Sequence, residues 1–275
     1  MGDPRHFREA MEQGPPLVLD AAMGSRLIER GLDLRTDDPA LWNLSRPEAV
    51  LEIHRNDRLA GSDVLFTNTF GAGRRALERL GRADDLAAIN EAAVMLARLA
   101  AGEDGFVVGS IGLGGRGDQG RSSLEQALIL IDAGVDGLVL ETHRLEQAEQ
   151  ALRTIAPRLD LPVIVSLHRW PDPIGSNARM LLDLGAAALG VNCGVGPESA
   201  IEATERFFRG HRSAWLVKPS AGLPGDPVCT PSRFAEMTHR FRELGVRMIG
   251  GCCGTTEAHV AAIRRVLDAP QDAPS

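Results

Sequence analysis

Leu59-Ala60-Gly61-Ser62-Asp63-Val64-Leu65 shows a sequence pattern that recurs along the chain. In this pattern an apolar residue and a glycine lead through a short spacer into a hydrophobic run. Asp132-Ala133-Gly134-Val135-Asp136-Gly137-Leu138 follows the same order, and shorter versions begin at Leu184-Gly185 and Leu244-Gly245. Each glycine can adopt the left-handed conformation that ends a helix, so that the chain turns directly into a buried strand. The repetition predicts successive α-to-β units.

Eight short apolar runs occur along the chain without polar alternation, as is typical of parallel strands that are covered on both faces. They lie at Leu17–Ala21, Val64–Thr69, Val107–Ile111, Leu138–Glu141, Val163–Leu167, Ala188–Asn192, Trp215–Lys218 and Met248–Gly251. Helical patterns fill the intervals at Pro47–Ala60, Arg74–Ala101 (broken near Gly81), Leu124–Ala133, Leu145–Arg158, Asn177–Leu184, Glu198–Arg209, Pro231–Leu244 and Thr256–Leu267. The order predicts an α/β fold, a (β/α)8 TIM barrel of a single domain.

Length and composition agree with one barrel domain over residues 1–275. A chain of 275 residues with 44% hydrophobic residues can bury a large core. No linker or low-complexity tract divides the sequence. We expect an ordered core from about residue 14 to residue 268, followed by a loose tail at residues 270–275.

Charge and hydropathy argue against several classes of partner. The formal net charge is -7 and no dense run of Lys or Arg occurs, which argues against nucleic acid or an anionic membrane surface. The charged start, Met1–Gln13, lacks the apolar segment of a signal peptide, and no run approaches the roughly 20 apolar residues of a membrane span. We therefore expect a cytoplasmic protein that acts on a small molecule. Its oligomeric state leaves no signature in the sequence.

The run Gly250-Gly251-Cys252-Cys253-Gly254 carries two of the four cysteines of the chain. Adjacent cysteines cannot readily bridge each other, but two thiolates on an open turn can bind one soft ion, and zinc takes thiolate sulfur readily. Cys193, at the end of the sixth predicted strand, is the best third ligand. The alternative is that these cysteines are small core residues. Cys229 matches no ligand position and is interpreted as structural.

Polar residues are concentrated at the carboxyl ends of the predicted strands, where a parallel barrel carries its functional site. These residues are Asp20, Thr67-Asn68-Thr69, Glu141-Thr142-His143, His168, Asn192-Cys193 and Cys252-Cys253. Because only the barrel brings Cys193 to the adjacent pair, a shared metal ion is a consequence of the predicted fold. His143 and His168 are candidates for a donor site or for supporting groups, whereas His54 and His259 are expected to be solvated on helices.

The ordered set of motifs resembles the homocysteine S-methyltransferases, a family of zinc-dependent barrels. It includes betaine-homocysteine and S-methylmethionine-homocysteine methyltransferases and the homocysteine module of cobalamin-dependent methionine synthase. The matching motifs are Asp20-Ala21-Ala22-Met23-Gly24-Ser25, Leu41-Trp42-Asn43, Thr67-Asn68-Thr69-Phe70-Gly71-Ala72, Glu141-Thr142, Val191-Asn192-Cys193-Gly194 and Gly250-Gly251-Cys252-Cys253-Gly254-Thr255-Thr256. The last of these is highly specific.

The resemblance implies that Cys193, Cys252 and Cys253 are the catalytic residues and hold Zn²⁺, with one coordination position open for the thiol of homocysteine. The metal would lower the pKa of that thiol, and methyl transfer would give methionine. The implied substrate-binding residues are Asp20 and Glu141 for the amino group, Met23 and Gly24 for the carboxylate through backbone N–H groups, and also Asn68 and Trp42. Asp20 and Glu141 could instead cap backbone groups, Asn68 could brace its loop, and Trp42 could be a packing residue.

The methyl donor is left open by departures from the family pattern. Gly112–Leu124 is shorter than the connection in relatives, and the chain contains no tyrosine to surround a quaternary ammonium. Trp42 and Phe70 are the aromatic residues that could face a cation. A sulfonium, a betaine-like donor and a methyl-corrinoid protein all remain candidates, and another thiol or selenol could be the preferred acceptor.

Two alternative functions stay open. A barrel lyase or aldolase could hold a phosphate at the Gly250-Gly251 turn, as barrels often do near their last strands. A non-catalytic barrel could carry a structural zinc and act as a partner protein, in which case a fourth protein ligand would close the metal site.

Overall fold

The apolar runs form eight parallel strands of one sheet in a computed structural model that describes residues 4–113, 119–194, 196–222 and 229–270. The strands are β1 (Leu17–Val18), β2 (Val64–Phe66), β3 (Phe106–Ile111), β4 (Gly137–His143), β5 (Val163–Leu167), β6 (Ala188–Cys193), β7 (Trp215–Pro219) and β8 (Met248–Ile249). Each strand pairs with the next, and β1 pairs with β8. A bridge between Leu19 and Val64 brings β1 beside β2. The predicted (β/α)8 barrel is confirmed.

The predicted helices follow the strands in the expected order, and further helices precede β1 and lie between β1 and β2. They are α1 (Pro4–Gln13), α2 (Met23–Glu29), α3 (Trp42–Ser45), α4 (Pro47–Leu59), α5 (Arg74–Arg79), α6 (Leu86–Ala101), α7 (Gln119–Asp132), α8 (Leu145–Ile155), α9 (Ile174–Asp183), α10 (Pro197–Phe208), α11 (Pro231–Leu244) and α12 (Glu257–Asp268). The glycines of the recurring sequence pattern have positive φ, from +86° at Gly245 to +104° at Gly61. The predicted break near Gly81 is confirmed, since α5 and α6 are separate there.

The first helix was not predicted, and it precedes the expected start of the ordered core near residue 14. Phe7 and Met11 of α1 are fully buried against the inward-facing side chains of the strands. Arg247 donates hydrogen bonds to the carbonyls of Ala10 and Met11 at the end of this helix, at 3.3 and 3.0 Å. The helix therefore closes the amino-terminal end of the barrel. Its charged residues had hidden an apolar face of two side chains spaced four apart.

The first and last strands are shorter than predicted, because residues after Val18 and Ile249 bend into the loops that form the carboxyl rim. Backbone bonds continue across the seam nonetheless: Asp20 N donates to Val64 O at 3.1 Å, and Gly250 N donates to Val217 O at 2.9 Å. Of the predicted tail and of Gly112–Leu124, residues 271–275 and 114–118 lie outside the described residues. No helix of the described residues is long and apolar enough to cross a membrane.

Met11→Ala should lower the free energy of unfolding by about 2–5 kcal/mol, because it removes a fully buried side chain and leaves a cavity. Met95→Ala is the matched control, since the same change is made on a side chain that is 62% exposed, and we expect an effect within about 0.5 kcal/mol. Urea denaturation followed by circular dichroism measures both. Equal losses in the two variants would contradict the placement of α1 in the core.

Candidate metal and substrate site

Three of the four cysteines converge at the carboxyl rim of the barrel. Cys193 ends β6, and Cys252 and Cys253 follow β8. The three Sγ atoms all lie within 4.8 Å of one another. The Sγ atoms of Cys193 and Cys253 are 3.6 Å apart. All three side chains line a cavity of about 230 Å³ at the mouth of the barrel. The structure thus brings together the three residues that the sequence predicts as ligands.

Close packing fixes the turn that carries Cys252 and Cys253. A Cβ atom at Gly250 would lie 2.6 Å from Leu19 Cβ, and one at Gly251 would lie 2.5 Å from Thr255. Gly254 has a φ of +77°, which favours glycine. These glycines let the turn pass close to its neighbours, and a side chain at any of the three positions would displace the two cysteines.

The phosphate-binding alternative at this turn is not supported, because the backbone donors are already used. Gly250 N donates to Val217 O, Gly251 N donates to Asp20 O at 3.2 Å, and Cys252 N donates to Pro219 O at 2.9 Å. A phosphate site on a glycine turn depends on N–H groups that point at the ligand. In this turn they hold β8 and its loop against β1 and β7.

The chemistry of the three thiols fits a soft cation. Hydrogen bonds from Cys252 and Cys253 lower the pKa of the Cys193 thiol, while the contact with Cys193 raises the pKa values of the other two. Proximity of the sulfurs therefore opposes the loss of a second and third proton. A bound thiophilic metal ion would remove this opposition by neutralising the thiolates.

Strained backbone and one buried amide support the strand ends that carry Glu141 and Cys193. Thr142 and Cys193 have φ values of +60° and +52°, a region that residues other than glycine seldom occupy. Asn192 Nδ2 donates to Thr142 Oγ1 at 2.8 Å and to Glu141 Oε1 at 3.2 Å, and its Oδ1 accepts the Thr142 N–H. The Asn192 side chain therefore connects the end of β4 to β6 at the residue just before Cys193.

Lys218 is a residue of the site that the sequence analysis missed. It lies in β7, is 4% exposed, lines the cavity and forms an ion pair with Asp20. Burial lowers the pKa of Lys218, but Asp20 and Glu141 outweigh this effect and raise it above its ordinary value. The signal available in the sequence was frequency, because Lys218 is the single lysine among 30 Lys and Arg residues.

Glu141 lines the cavity and accepts its hydrogen bonds from neutral groups. Its Oε2 accepts a hydrogen bond from Ser110 Oγ at 2.6 Å, and its Oε1 accepts one from Asn192. None of the ion pairs formed by the described residues involves Glu141. Burial raises the pKa of this carboxyl, although the nearby Lys218 ammonium acts in the opposite direction.

Three of the other predicted substrate-binding residues, Met23, Gly24 and Asn68, line the cavity together with Asp20. The Asn68 amide nitrogen donates to Pro39 O at 2.7 Å and to Asn43 Oδ1 at 2.9 Å, so it does brace its loop.

Trp42 does not reach the cavity lining, contrary to the predicted substrate contact. Its ring is 3% exposed and packs in a cluster with Leu27 and Val50, while Nε1 donates to Asp37 at 2.9 Å. Phe70, in contrast, lines the cavity mouth and is 46% exposed. Phe70 is thus the one of the two predicted aromatic residues that is accessible to a donor.

The histidines are placed differently from the predictions. His54 and His259 are buried, so the expectation that they are solvated was wrong. His259 Nε2 contacts Cys229 O at 2.9 Å, whereas neither ring nitrogen of His54 has a partner among the described residues. His143 is fully buried, and its Nδ1 contacts Glu141 O. His168 lines a neighbouring groove and not the cavity.

Cys229 stands apart from the three convergent thiols. Among the described residues, the group of side chains that could hold a metal ion consists of Cys193, Cys252 and Cys253. Burial raises the pKa of the Cys229 thiol. The structural role that the sequence predicts for Cys229 stays a prediction.

Fold and site together define a TIM-barrel protein with a candidate three-thiol metal centre at its carboxyl rim. The chain belongs to the homocysteine S-methyltransferase family, because a sequence model described by that name matches residues 17–267. It is 30% identical to the methionine synthase of Mycobacterium tuberculosis over 90% of its own length and 24% of that protein. It is also 30% identical to the S-methylmethionine--homocysteine S-methyltransferase of Pongo abelii, over 97% of this chain and 82% of that protein.

The homocysteine methyltransferase MmuM from Escherichia coli, solved in its metallated form, has the same fold. The TM-score is 0.79 with 24% sequence identity, and the match covers 96% of this chain and 99% of that one. The chain spans about a quarter of the length of the two mycobacterial methionine synthases that it matches.

His54→Leu should make stability less dependent on pH. Burial lowers the pKa of His54 to about 4, an effect that Arg26 and Lys218 assist and Asp57 opposes. In the unfolded chain His54 binds a proton as the pH falls through about 6.5, whereas in the folded chain it binds one only near pH 4. The free energy of unfolding should therefore fall as the pH decreases from about 6.5 to about 4, by up to about 1.4 kcal/mol per pH unit for this residue.

Urea denaturation at a series of pH values compares the slopes of the wild type and the variant. His239→Leu, the same change at an exposed helix position, controls for the substitution itself. Identical slopes for the wild type and His54→Leu would show that folding leaves the pKa of His54 unchanged.

Proposed function

We propose that this chain is a zinc-dependent S-methyltransferase that transfers a methyl group from a small activated donor to the thiol of homocysteine, giving methionine. The observation that carries the proposal is the convergence of Cys193, Cys252 and Cys253 on one cavity. Membership of the homocysteine S-methyltransferase family supports it, as do relatives named for homocysteine methylation. The metallated form of the Escherichia coli protein supports a metal ion in particular.

Three thiols without a fourth protein ligand suit an open metal site. Among the described residues, no other His, Cys, Asp or Glu joins the group of three. A structural zinc is usually closed by four protein ligands, whereas a catalytic zinc keeps a position for substrate. When bound here, Zn²⁺ would lower the pKa of the acceptor thiol from its free value of about 8.5, so that a thiolate nucleophile is available at neutral pH.

The protein's own side chains would hold and orient the amino-acid part of the acceptor. The carboxylates of Glu141 and Asp20 line the cavity and would receive the ammonium group. The backbone N–H groups of Met23 and Gly24, in the first turn of α2, have no side-chain cap from Ala22 and would receive the carboxylate. Fixing both ends of the acceptor aims its sulfur along the cavity. That sulfur forms the new bond to the methyl carbon as the bond from carbon to the donor breaks, and the product is a neutral thioether.

The donor would approach from the open mouth of the cavity, where Phe70 is exposed. A single aromatic face can attract a sulfonium cation, but a quaternary ammonium is best held by several aromatic rings. Because the chain has no tyrosine, we favour a sulfonium over a betaine-like donor. A methyl-corrinoid protein is the third candidate, and the mycobacterial methionine synthases among the relatives give a reason to include it.

We expect the wild type to bind about one zinc ion per chain and the Cys252→Ala variant to lose it, since two thiols alone hold the ion weakly. Cys229→Ala should leave the zinc content unchanged, because Cys229 lies outside the three-thiol group. Elemental analysis of the purified proteins gives the stoichiometry, and methionine formation gives the activity. Full zinc content and full activity in Cys252→Ala would rule out the proposed centre.

With zinc-loaded protein and homocysteine, S-methylmethionine should transfer its methyl group at least about tenfold faster than betaine, for want of an aromatic cage around a quaternary ammonium. Methylcobalamin is the third arm of the panel, and each reaction is followed by the loss of homocysteine, because S-methylmethionine itself becomes methionine when it gives up its methyl group. The Phe70→Leu variant should slow the reaction with the sulfonium donor. If every donor failed with homocysteine but methylated another thiol, the acceptor assignment would be wrong and the metal site would stand.

A further inference from the structure

Cys252 and Cys253 lie on a tight β-turn, called here the cysteine turn (residues 252–255). The Thr255 backbone N–H donates to Cys252 O at 3.0 Å and closes the turn. Gly254 occupies the third position with a φ of +77°, as is typical of a type II turn. The two thiols that are adjacent in sequence are therefore carried by the first two residues of a closed turn.

Backbone groups anchor the cysteine turn on the side of β7. Cys252 N donates to Pro219 O at 2.9 Å, and Ala221 N donates to Cys253 O at 2.8 Å. Bonds of this kind are open to almost any residue type, because they use main-chain atoms alone. They hold the turn in place without depending on a particular side chain.

Two side-chain hydroxyl groups add links between the cysteine turn and the segment that follows β1. Thr255 Oγ1 donates to Cys252 O at 2.7 Å and accepts the Ala22 N–H at 3.1 Å. Ser25 Oγ accepts the Gly254 N–H at 3.2 Å. The Thr255 hydroxyl is thus shared by a metal-ligand candidate and by the loop on the opposite side of the turn.

The Thr255 side chain is enclosed on all sides. It is 0% exposed, and a Cβ atom at Gly251 would lie 2.5 Å from its Oγ1 and Cγ2 atoms. Ala22 is also buried. A residue without a hydroxyl at position 255 would leave the Ala22 N–H without its acceptor in a buried environment, which is unfavourable.

We propose, on the premise of the zinc site in the proposed function, that Thr255 is a positioning residue of the metal centre and that Ser25 supports it. Their hydroxyls fix the cysteine turn to the segment after β1, so that both thiols face Cys193 before an ion binds. Thr255 does not line the cavity and acts through the carbonyl of Cys252. Groups that hold metal ligands in place commonly change metal affinity by roughly 10- to 100-fold.

Replacing the Thr255 hydroxyl while keeping the shape of the side chain tests this role. Thr255→Val should raise the dissociation constant for zinc about tenfold or more, whereas Thr255→Ser keeps the hydroxyl and should stay within about threefold of the wild type. Competition with a chelator of known zinc affinity measures these constants. The visible absorption of the cobalt-substituted proteins reports the ligand geometry, and only the valine variant should differ from the wild type.

Thr204→Val is the matched control for the loss of a buried hydroxyl. Thr204 is also 0% exposed, and its Oγ1 donates to Ala200 O at 2.7 Å and accepts the Trp215 Nε1–H at 2.9 Å. Both valine variants remove one donated and one accepted bond, so both should lower the melting temperature of the metal-free protein. Thr204→Val should nevertheless keep the zinc dissociation constant within about twofold of the wild type.

Zinc affinity within about twofold of the wild type in Thr255→Val would overturn the inference, as would an equal loss in Thr255→Ser or in Thr204→Val. If Thr255→Val does not fold, Ser25→Ala decides, since Ser25 is only partly buried. It should raise the zinc dissociation constant about threefold, and an unchanged constant would overturn the inference.

The proposed function can fail separately from this role. A wild type that binds zinc with the expected dependence on Thr255 but methylates no thiol would refute the proposed methyl transfer and leave the positioning role in place. A wild type that binds no zinc would overturn both.

Discussion

Asp20 joins the seam of the barrel, and the geometry of the site depends on it. Its backbone N–H donates to Val64 of β2, its carbonyl accepts from Gly251 after β8, and its carboxylate accepts from Phe66 of β2 and from Lys218 of β7. Asp63 completes the junction of β1 with β2, since its N–H donates to Val18 O at 2.7 Å and its carboxylate accepts the Val18 N–H at 2.8 Å. Asp20 therefore connects β1 with β2, with β7 and with the turn that carries the adjacent cysteines. Because parallel strands have no direct hairpin connection, such closure must come from long-range contacts.

Much of the barrel could be predicted because its local signals are repeated and consistent. Glycines that end helices precede apolar runs, and both features depend on backbone sterics and burial that one segment expresses by itself. The three thiols were predictable for a related reason. An adjacent cysteine pair between glycines has few structural explanations, and the barrel then decides where Cys193 must lie.

Features that depend on tertiary contacts escaped the sequence analysis. The helix α1 has two apolar contacts in a charged segment, and its burial becomes evident only when the end of the barrel is in place. His54 sits in a helix whose pattern does not show that this position is covered. Trp42 belongs to a motif that resembles the family pattern, but its ring packs in the cluster with Leu27 and Val50. Lys218 belongs to a strand that was predicted correctly, yet its pairing with Asp20 joins residues 198 positions apart.

The closure of the amino-terminal end by α1 also limits the side from which ligands can reach the cavity. With Phe7 and Met11 filling the floor, ligands of the cavity enter and leave on the side where Phe70 is exposed. In the proposed reaction the acceptor would lie against the thiols and the donor nearer the mouth. If both use this one opening, which is the opening that the described residues show, the acceptor would have to bind before the donor, and the spent donor would have to leave before the methylated acceptor.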